Sequence, residues 1–213
     1  MKTLVVNCYQ KQAEEKISRY IELAGRHSEP HELSWNACQP GDSLAGFSAV
    51  ILSGSQWLLS QEPPPPTLAQ FVRELRLPTL GICFGHQLLA FVHGARVLSG
   101  RLISRTEKIV TVEPHPLFFG LGSEFEMLES HREYVDCDEI RHAGWRVLAY
   151  SKSCPVEAIC HPTRPLFGVQ FHPERSGPTG EQLFQNFYDL VHHQTTQNGL
   201  QQLSHETHFS RRQ

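Results

Sequence analysis

What the chain lacks narrows its function before any motif is considered. No stretch approaches the ~18–20 consecutive apolar residues of a membrane span, so no membrane partner is expected. There is no surplus of charge: 19 Lys and Arg against 22 Asp and Glu leave a net charge of -3. That gives no electrostatic reason to expect nucleic acid or an anionic lipid surface as partner. The six cysteines (Cys8, Cys38, Cys83, Cys137, Cys154, Cys160) form no C-x-x-C pair. Reduced thiols are therefore expected rather than a disulfide framework. Neither they nor the 13 histidines show paired ligand spacing; the nearest case is His205 and His208 in SHETH. No metal and no cofactor are expected. The opening MKTLVVNCYQKQAEEK turns charged too soon for a secretory leader, which gives a cytoplasmic expectation. Internal repeats and interdomain linkers are also missing.

What is present, in 213 residues of which 39% are hydrophobic, suits one sizeable domain with a substantial core. TLVVNCY (3–9) reads as a buried strand, followed over 11–24 by a helix with Ile17, Tyr20 and Ala24 on one face. FSAVILSGS (47–55) is a second strand, PPPP (63–66) an extended loop, and Leu68, Phe71, Val72 and Leu75 one face of a helix. LPTLGIC is a third strand, running into an apolar helix closed by Gly94. From about 95 to 171 the signal becomes strand after strand: ARVLSG, EKIVTVEP, EFEMLES, WRVLAYS, VEAICH, LFGVQFH. Phe184, Phe187, Tyr188 and Val191 mark a last helix. The expected fold is α/β: a mainly parallel central sheet flanked by helices, with an antiparallel extension. It fills residues 1–193, with 194–213 a polar, loosely held tail.

One segment, Gly81-Ile82-Cys83-Phe84-Gly85, calls for chemistry. A lone cysteine is ordinarily a small buried hydrophobe. Here it sits where a strand turns sharply into a helix, with small neighbours two positions away on each side. That is the nucleophile elbow, with Cys in place of Ser. It lifts the sulfur to the carboxyl end of the sheet, where open α/β folds bind ligands. It also sets the thiol at a helix N-terminus, whose partial positive charge favours an anion.

A cysteine nucleophile needs a base and a group to orient that base. In LFGVQFHPER (166–175), His172 ends a strand-like run and Glu174 follows two residues later. Both side chains share a side if the chain stays extended through Pro173. Glu174 would accept from one ring nitrogen and leave the other to face Cys83. For a developing oxyanion, the candidates are the backbone N–H of Phe84 and those of Gly54 or Ser55 in LSGSQ.

GICFGHQLLA together with GVQFHPE resembles the class I (triad) glutamine amidotransferases, over about residues 2–192. The resemblance implies a flavodoxin-like amidotransferase fold in which Cys83 attacks the side-chain amide of glutamine. His172 would act as base and then acid, with Glu174 orienting it. It also implies that Gln87 and the Ser130-His131-Arg132 stretch of ESHREYV hold the substrate. The nearest flavour is the glutaminase portion of GMP synthetase, with the γ-glutamyl peptidases also similar. Two departures stand out. SGSQ replaces the usual G-G-P oxyanion loop, and SHRE replaces S-H-G-D, which sets Arg132 and Glu133 where the family meets its partner. Three readings follow: a glutaminase subunit supplying ammonia to a separate synthase, a free-standing γ-glutamyl hydrolase, and an idle binding protein on the same fold.

Overall fold

In the computed structural model the chain is described over residues 1–209, with side chains described through Gln194 and at Thr196. Strands β1 (Lys2–Asn7), β3 (Ala49–Leu52) and β4 (Thr79–Ile82) are short and almost wholly buried, as strands covered on both faces must be. They pair in parallel in the order β1-β3-β4. β2 (Glu29–Ser34) adds in parallel at the outer edge of β1. It carries the mixed sequence EPHELS, half exposed, and Pro30 is tolerated because an edge strand need not donate every N–H. That polarity hides β2 from a search for apolar runs.

β4 pairs in parallel with β9 (Leu166–Val169), and from there the sheet turns antiparallel. β8 (Ala158–Cys160), β7 (Arg146–Tyr150), β5 (Val97–Thr111) and β6 (Glu124–Val135) complete a nine-stranded sheet in the order β2-β1-β3-β4-β9-β8-β7-β5-β6. The expected mixed architecture is thus present. ARVLSG and EKIVTVEP, read as two strands, are parts of the single strand β5, whose register with β6 shifts between Ser99 and Ile103.

Two apolar layers sandwich the sheet. On one face lie α1 (Ala13–Gly25), through Ile17, Tyr20 and Leu23, and α5 (Gly177–Phe209), through Leu183, Phe184 and Phe187. On the other face lie α2 (Pro66–Glu74), α3 (Phe84–Val92) and the short α4 (Cys137–His142). α2 begins at Pro66, whose missing N–H is no loss in a first turn. α5 continues past His193 to Phe209 through the stretch expected to be a loose tail; the side chains of His205 and His208 lie outside the described residues. All six cysteines are free. No described helix is long and apolar enough to cross a membrane.

Candidate active site

Cys83 sits between β4 and α3 with φ 52° and ψ -101°, one of two non-glycine residues with positive φ among the described residues. Such a conformation costs on the order of 1–3 kcal/mol and persists only where its surroundings enforce it. Enforcement is local: the Cys83 amide donates to Val169 O (2.8 Å), and Cys83 O accepts from the Gln87 amide (3.1 Å). The flanking glycines are steric necessities. A Cβ on Gly81 would lie 2.5 Å from Gly85 O, and one on Gly85 would lie 2.3 Å from Leu52 O. The thiol is 5% exposed, at the floor of a pocket of about 440 Å³ that it shares with Gln87, Ser130, His131, His172 and Glu174. Its Sγ lies 4.0 Å from Ser130 O.

His172 follows the end of β9, pinned by its amide to Leu128 O (2.9 Å) and by Ser176 Oγ donating to its carbonyl (2.7 Å). Its Nδ1 lies 2.7 Å from Glu174 Oε1, with both side chains almost fully buried. The shared direction of the two side chains has a different cause from the one expected: Pro173–Arg175 is a 3-10 turn, not extended chain. His172 Nε2 is buried and has no hydrogen bond of standard geometry among the described residues. Burial, the largest influence, pulls the imidazole pKa down. The charges of Glu174 and Cys83, with their hydrogen bonds, outweigh it and hold the ring well above its usual value. Imidazole, carboxylate and sulfur thus form one electrostatic unit at the carboxyl edge of the sheet.

The chain matches the family described as glutamine amidotransferase class-I over residues 4–191. It belongs to the class I glutamine amidotransferase family. It is 34% identical over 192 residues to a glutamine-hydrolysing GMP synthase of Thermosipho melanesiensis, a match spanning 90% of this chain and 36% of that protein. It is also 39% identical over 122 residues to a glutamine-hydrolysing GMP synthase subunit of Methanosarcina acetivorans, covering 56% of this chain and 63% of that one. The chain therefore spans about a third to two thirds of the length of these curated relatives. Among solved structures, a Thermoplasma acidophilum protein described as a GMP synthase subunit superposes with a TM-score of 0.77 at 23% identity, over 95% of this chain and 98% of that one. At that identity the likeness speaks for the fold.

Two expectations, one read from the LSGSQ loop and one from the amidotransferase resemblance, need correction. The Gly54 amide does not face the pocket, because it donates to Tyr20 Oη (3.1 Å), which in turn bonds Tyr9 Oη (3.2 Å). The oxyanion candidates are reduced to the amides of Ser55 and Phe84. Ser55 lines the pocket while its hydroxyl is turned away, donating to Cys8 O (2.7 Å) and accepting from the Trp57 amide (3.1 Å). Phe84 opens α3, where first-turn amides lack intrahelical partners.

Glu133, read as part of a partner surface, instead points inward at 1% exposure. Its carboxylate accepts from the amides of Leu59 (2.8 Å) and Ser60 (3.0 Å) and so fastens the loop after β3. Arg132 beside it is exposed at the pocket rim. Gln87 reaches the pocket, but both its donors are committed, to Glu133 O (2.9 Å) and Gln170 Oε1 (3.0 Å); only its carbonyl could serve a ligand. His131 borders the pocket and donates from Nδ1 to Glu133 O (2.9 Å).

Sequence reasoning passes over Gln170 and misassigns the roles of Tyr20 and Glu133. Tyr20 reads as one apolar position on a helical face, and its hydroxyl partner is 34 residues away. A signal for Glu133 does exist: in β6 the positions Glu129, His131 and Glu133 alternate with partly exposed ones and share the buried face.

Proposed function

We propose that the chain is the glutaminase component of a glutamine amidotransferase, hydrolysing the side-chain amide of glutamine and delivering ammonia to a separate synthase. The observation that carries this reading is the hydrogen-bonded His172–Glu174 pair sharing one pocket with a cysteine held at a strained strand-to-helix corner. In the reaction, sulfur attacks the amide carbon while its proton is held on His172. The oxyanion that forms meets the amides of Ser55 and Phe84. Glu174 keeps the imidazolium oriented while it passes its proton to the departing nitrogen. Ammonia leaves, and a γ-glutamyl thioester remains on Cys83. His172 then takes a proton from water, hydroxide attacks the thioester, and glutamate is released with the thiol restored.

Ser130, His131 and Arg132 border the pocket beside the sulfur and suit the amino-acid end of the substrate. The GMP synthases it matches extend beyond the region they share with this chain, and a synthase polypeptide is the partner this reading calls for.

The test has two readouts. A diazoketone analogue of glutamine should alkylate the wild-type chain at the peptide containing Cys83 and leave Cys83→Ala unlabelled. Glutamate and ammonia release from glutamine, with and without a GMP synthase polypeptide lacking its own glutaminase, measures turnover and its dependence on the partner. Labelling elsewhere, or equal glutamate release by Cys83→Ala, would refute the reading. Efficient release from γ-glutamyl dipeptides with none from glutamine would transfer the assignment to a γ-glutamyl hydrolase.

A further inference from the structure

Directly behind the pocket lie two ionisable groups that the reaction above does not use. Glu129 on β6 and Glu157, just before β8, are both 0% exposed. Among the described residues neither carboxylate has a hydrogen bond of standard geometry from a protein donor. Two bare carboxylates cannot both stay charged in such a place. The geometry of His131 sharpens the point. Its Nδ1 faces a carbonyl oxygen, Glu133 O, at 2.9 Å, and must therefore carry a proton. A neutral ring then presents a lone pair at Nε2, yet Nε2 lies 3.1 Å from Glu129 Oε2. An acceptor facing an acceptor is repulsive, so a proton sits between them.

Every charged neighbour bears on where that proton resides. From β5, Arg105 is the register partner of Glu129, but its guanidinium is bonded to Glu107. From the turn after β7, Ser151 approaches Glu157. From the strand ends come Cys154 and His172, and from α3 comes His86. Burial pushes Glu129 up to about 7, and Glu157 well above its usual range. Burial also pulls His131 and His86 down, His86 to about 3. The carboxyls are the groups that hold the protons.

We propose that Glu129 and Glu157 are positioning residues: a protonated carboxyl pair whose Glu129 O–H donates to His131 Nε2 and so fixes the Ser130–Arg132 segment of the pocket wall. The chain of donors runs Glu157 to Glu129, Glu129 to His131, and His131 to the carbonyl of Glu133. That carbonyl also accepts from Gln87, and the Glu133 carboxylate holds the Leu59 and Ser60 amides. Losing the Glu129 proton leaves a carboxylate facing a lone pair, the contact breaks, and the wall beside Cys83 loosens. The inference rests on Cys83 being the nucleophile, and it deepens that reading by making substrate affinity sensitive to pH.

The experiment follows alkylation of Cys83 by the glutamine-like diazoketone from pH 5.5 to 8.5, separating the half-saturating concentration from the limiting rate. In wild type the half-saturating concentration should climb with a single ionisation near neutrality, and the limiting rate should be far less affected by Glu129. Glu129→Gln keeps an N–H donor to Nε2 but cannot ionise, so its half-saturating concentration should lose that rise. Glu129→Leu removes the donor and should raise it tenfold or more at every pH. Infrared difference spectra should show a protonated-carboxyl band in wild type that Glu129→Gln lacks.

An unchanged rise in Glu129→Gln, or the same carboxyl band in both proteins, would overturn the proposal; should Glu129→Leu fail to fold, Glu129→Gln alone decides. Failure of wild type to label at Cys83 would instead refute the enzyme assignment, so the two failures are distinguishable.

Discussion

Replacing Glu174 with Gln isolates what the carboxylate does for His172. The glutamine carbonyl can still accept from Nδ1, so the geometry can survive while the charge disappears. The bond in question is short (2.7 Å) and its side chains are 6% and 1% exposed, so solvent screening is slight. A hydrogen bond to a charged group contributes about 1.5–3 kcal/mol net, equivalent to about 1–2 pH units on the imidazole. The sign is set by the environment: burial lowers the His172 pKa, and the Glu174 charge is first among the influences that raise it. Removing that charge therefore moves the pKa down. In the proposed reaction His172 carries a proton when ammonia leaves, so kcat/KM should fall as pH climbs past this pKa. In Glu174→Gln that high-pH limb should begin about 1–2 units lower, and the plateau should drop about 10- to 200-fold. Cys83→Ala should lose turnover altogether. The assay is glutamate release against pH, with the synthase polypeptide present. A limb that stays in place would refute the claim that Glu174 sustains the imidazolium, and a loss equal to that of Cys83→Ala would mean the carboxylate does more than orient and charge the ring.

Three further perturbations probe the frame around the site. Gly85→Ala sets a Cβ 2.3 Å from Leu52 O, a backbone atom that no rotamer change can move; a loss of about 3 kcal/mol or more is expected. Gly25→Ala, with its nearest contact at 3.9 Å, serves as the control, and equal urea midpoints would contradict the steric account. Glu133→Gln turns an N–H₂ group toward one of the amides of Leu59 and Ser60 and should cost about 1–3 kcal/mol. Proteolytic nicking near residues 56–62 should rise with it, and an unchanged cleavage rate would sink the clamp. Glu129 predicts an unusual stability curve: the unfolded side chain releases its proton near 4.5 and the folded one near 7. Between those values the folded state binds more protons, so stability falls as pH rises, by about 3 kcal/mol in all. About 2 kcal/mol of that fall lies between pH 5 and 7, so thermal unfolding at those two values should show Glu129→Gln flattening it by roughly 4–9 °C, and parallel curves would contradict it.

The parts of the site that sequence makes legible are those whose geometry is decided within a few residues. Gly81, Cys83 and Gly85 declare a strained corner because two glycines must flank it, and His172-Pro173-Glu174 keeps base and carboxylate within one turn. Strand alternation likewise makes the sheet readable, except where local composition misleads. EPHELS conceals an edge strand, and the polar stretch between ARVLSG and EKIVTVEP disguises one strand as two. Tyr20 reads as a hydrophobe although its hydroxyl is the feature that matters: it captures the Gly54 amide and removes that group from the oxyanion site. No spacing rule connects residues on a helix and on a loop after another strand.

The polar core of β6 lies between these cases. Its inward positions run Phe125, Met127, Glu129, His131, Glu133, Val135, so period-two alternation places three ionisable side chains where only apolar ones should be stable. Buried polar groups must find partners, and that requirement is visible in the sequence even though the partners are not. Glu133 finds two amides from the loop after β3. His131 finds the Glu133 carbonyl on its own strand and the carboxyl of Glu129. Glu129 faces the lone pair of His131 Nε2 (3.1 Å) and another acid, Glu157, and a proton is what makes either contact favourable. A protein could fill these positions with Leu or Val and gain stability. Retaining acids there ties the wall of the pocket to the protonation state of its core, a property that apolar packing cannot supply.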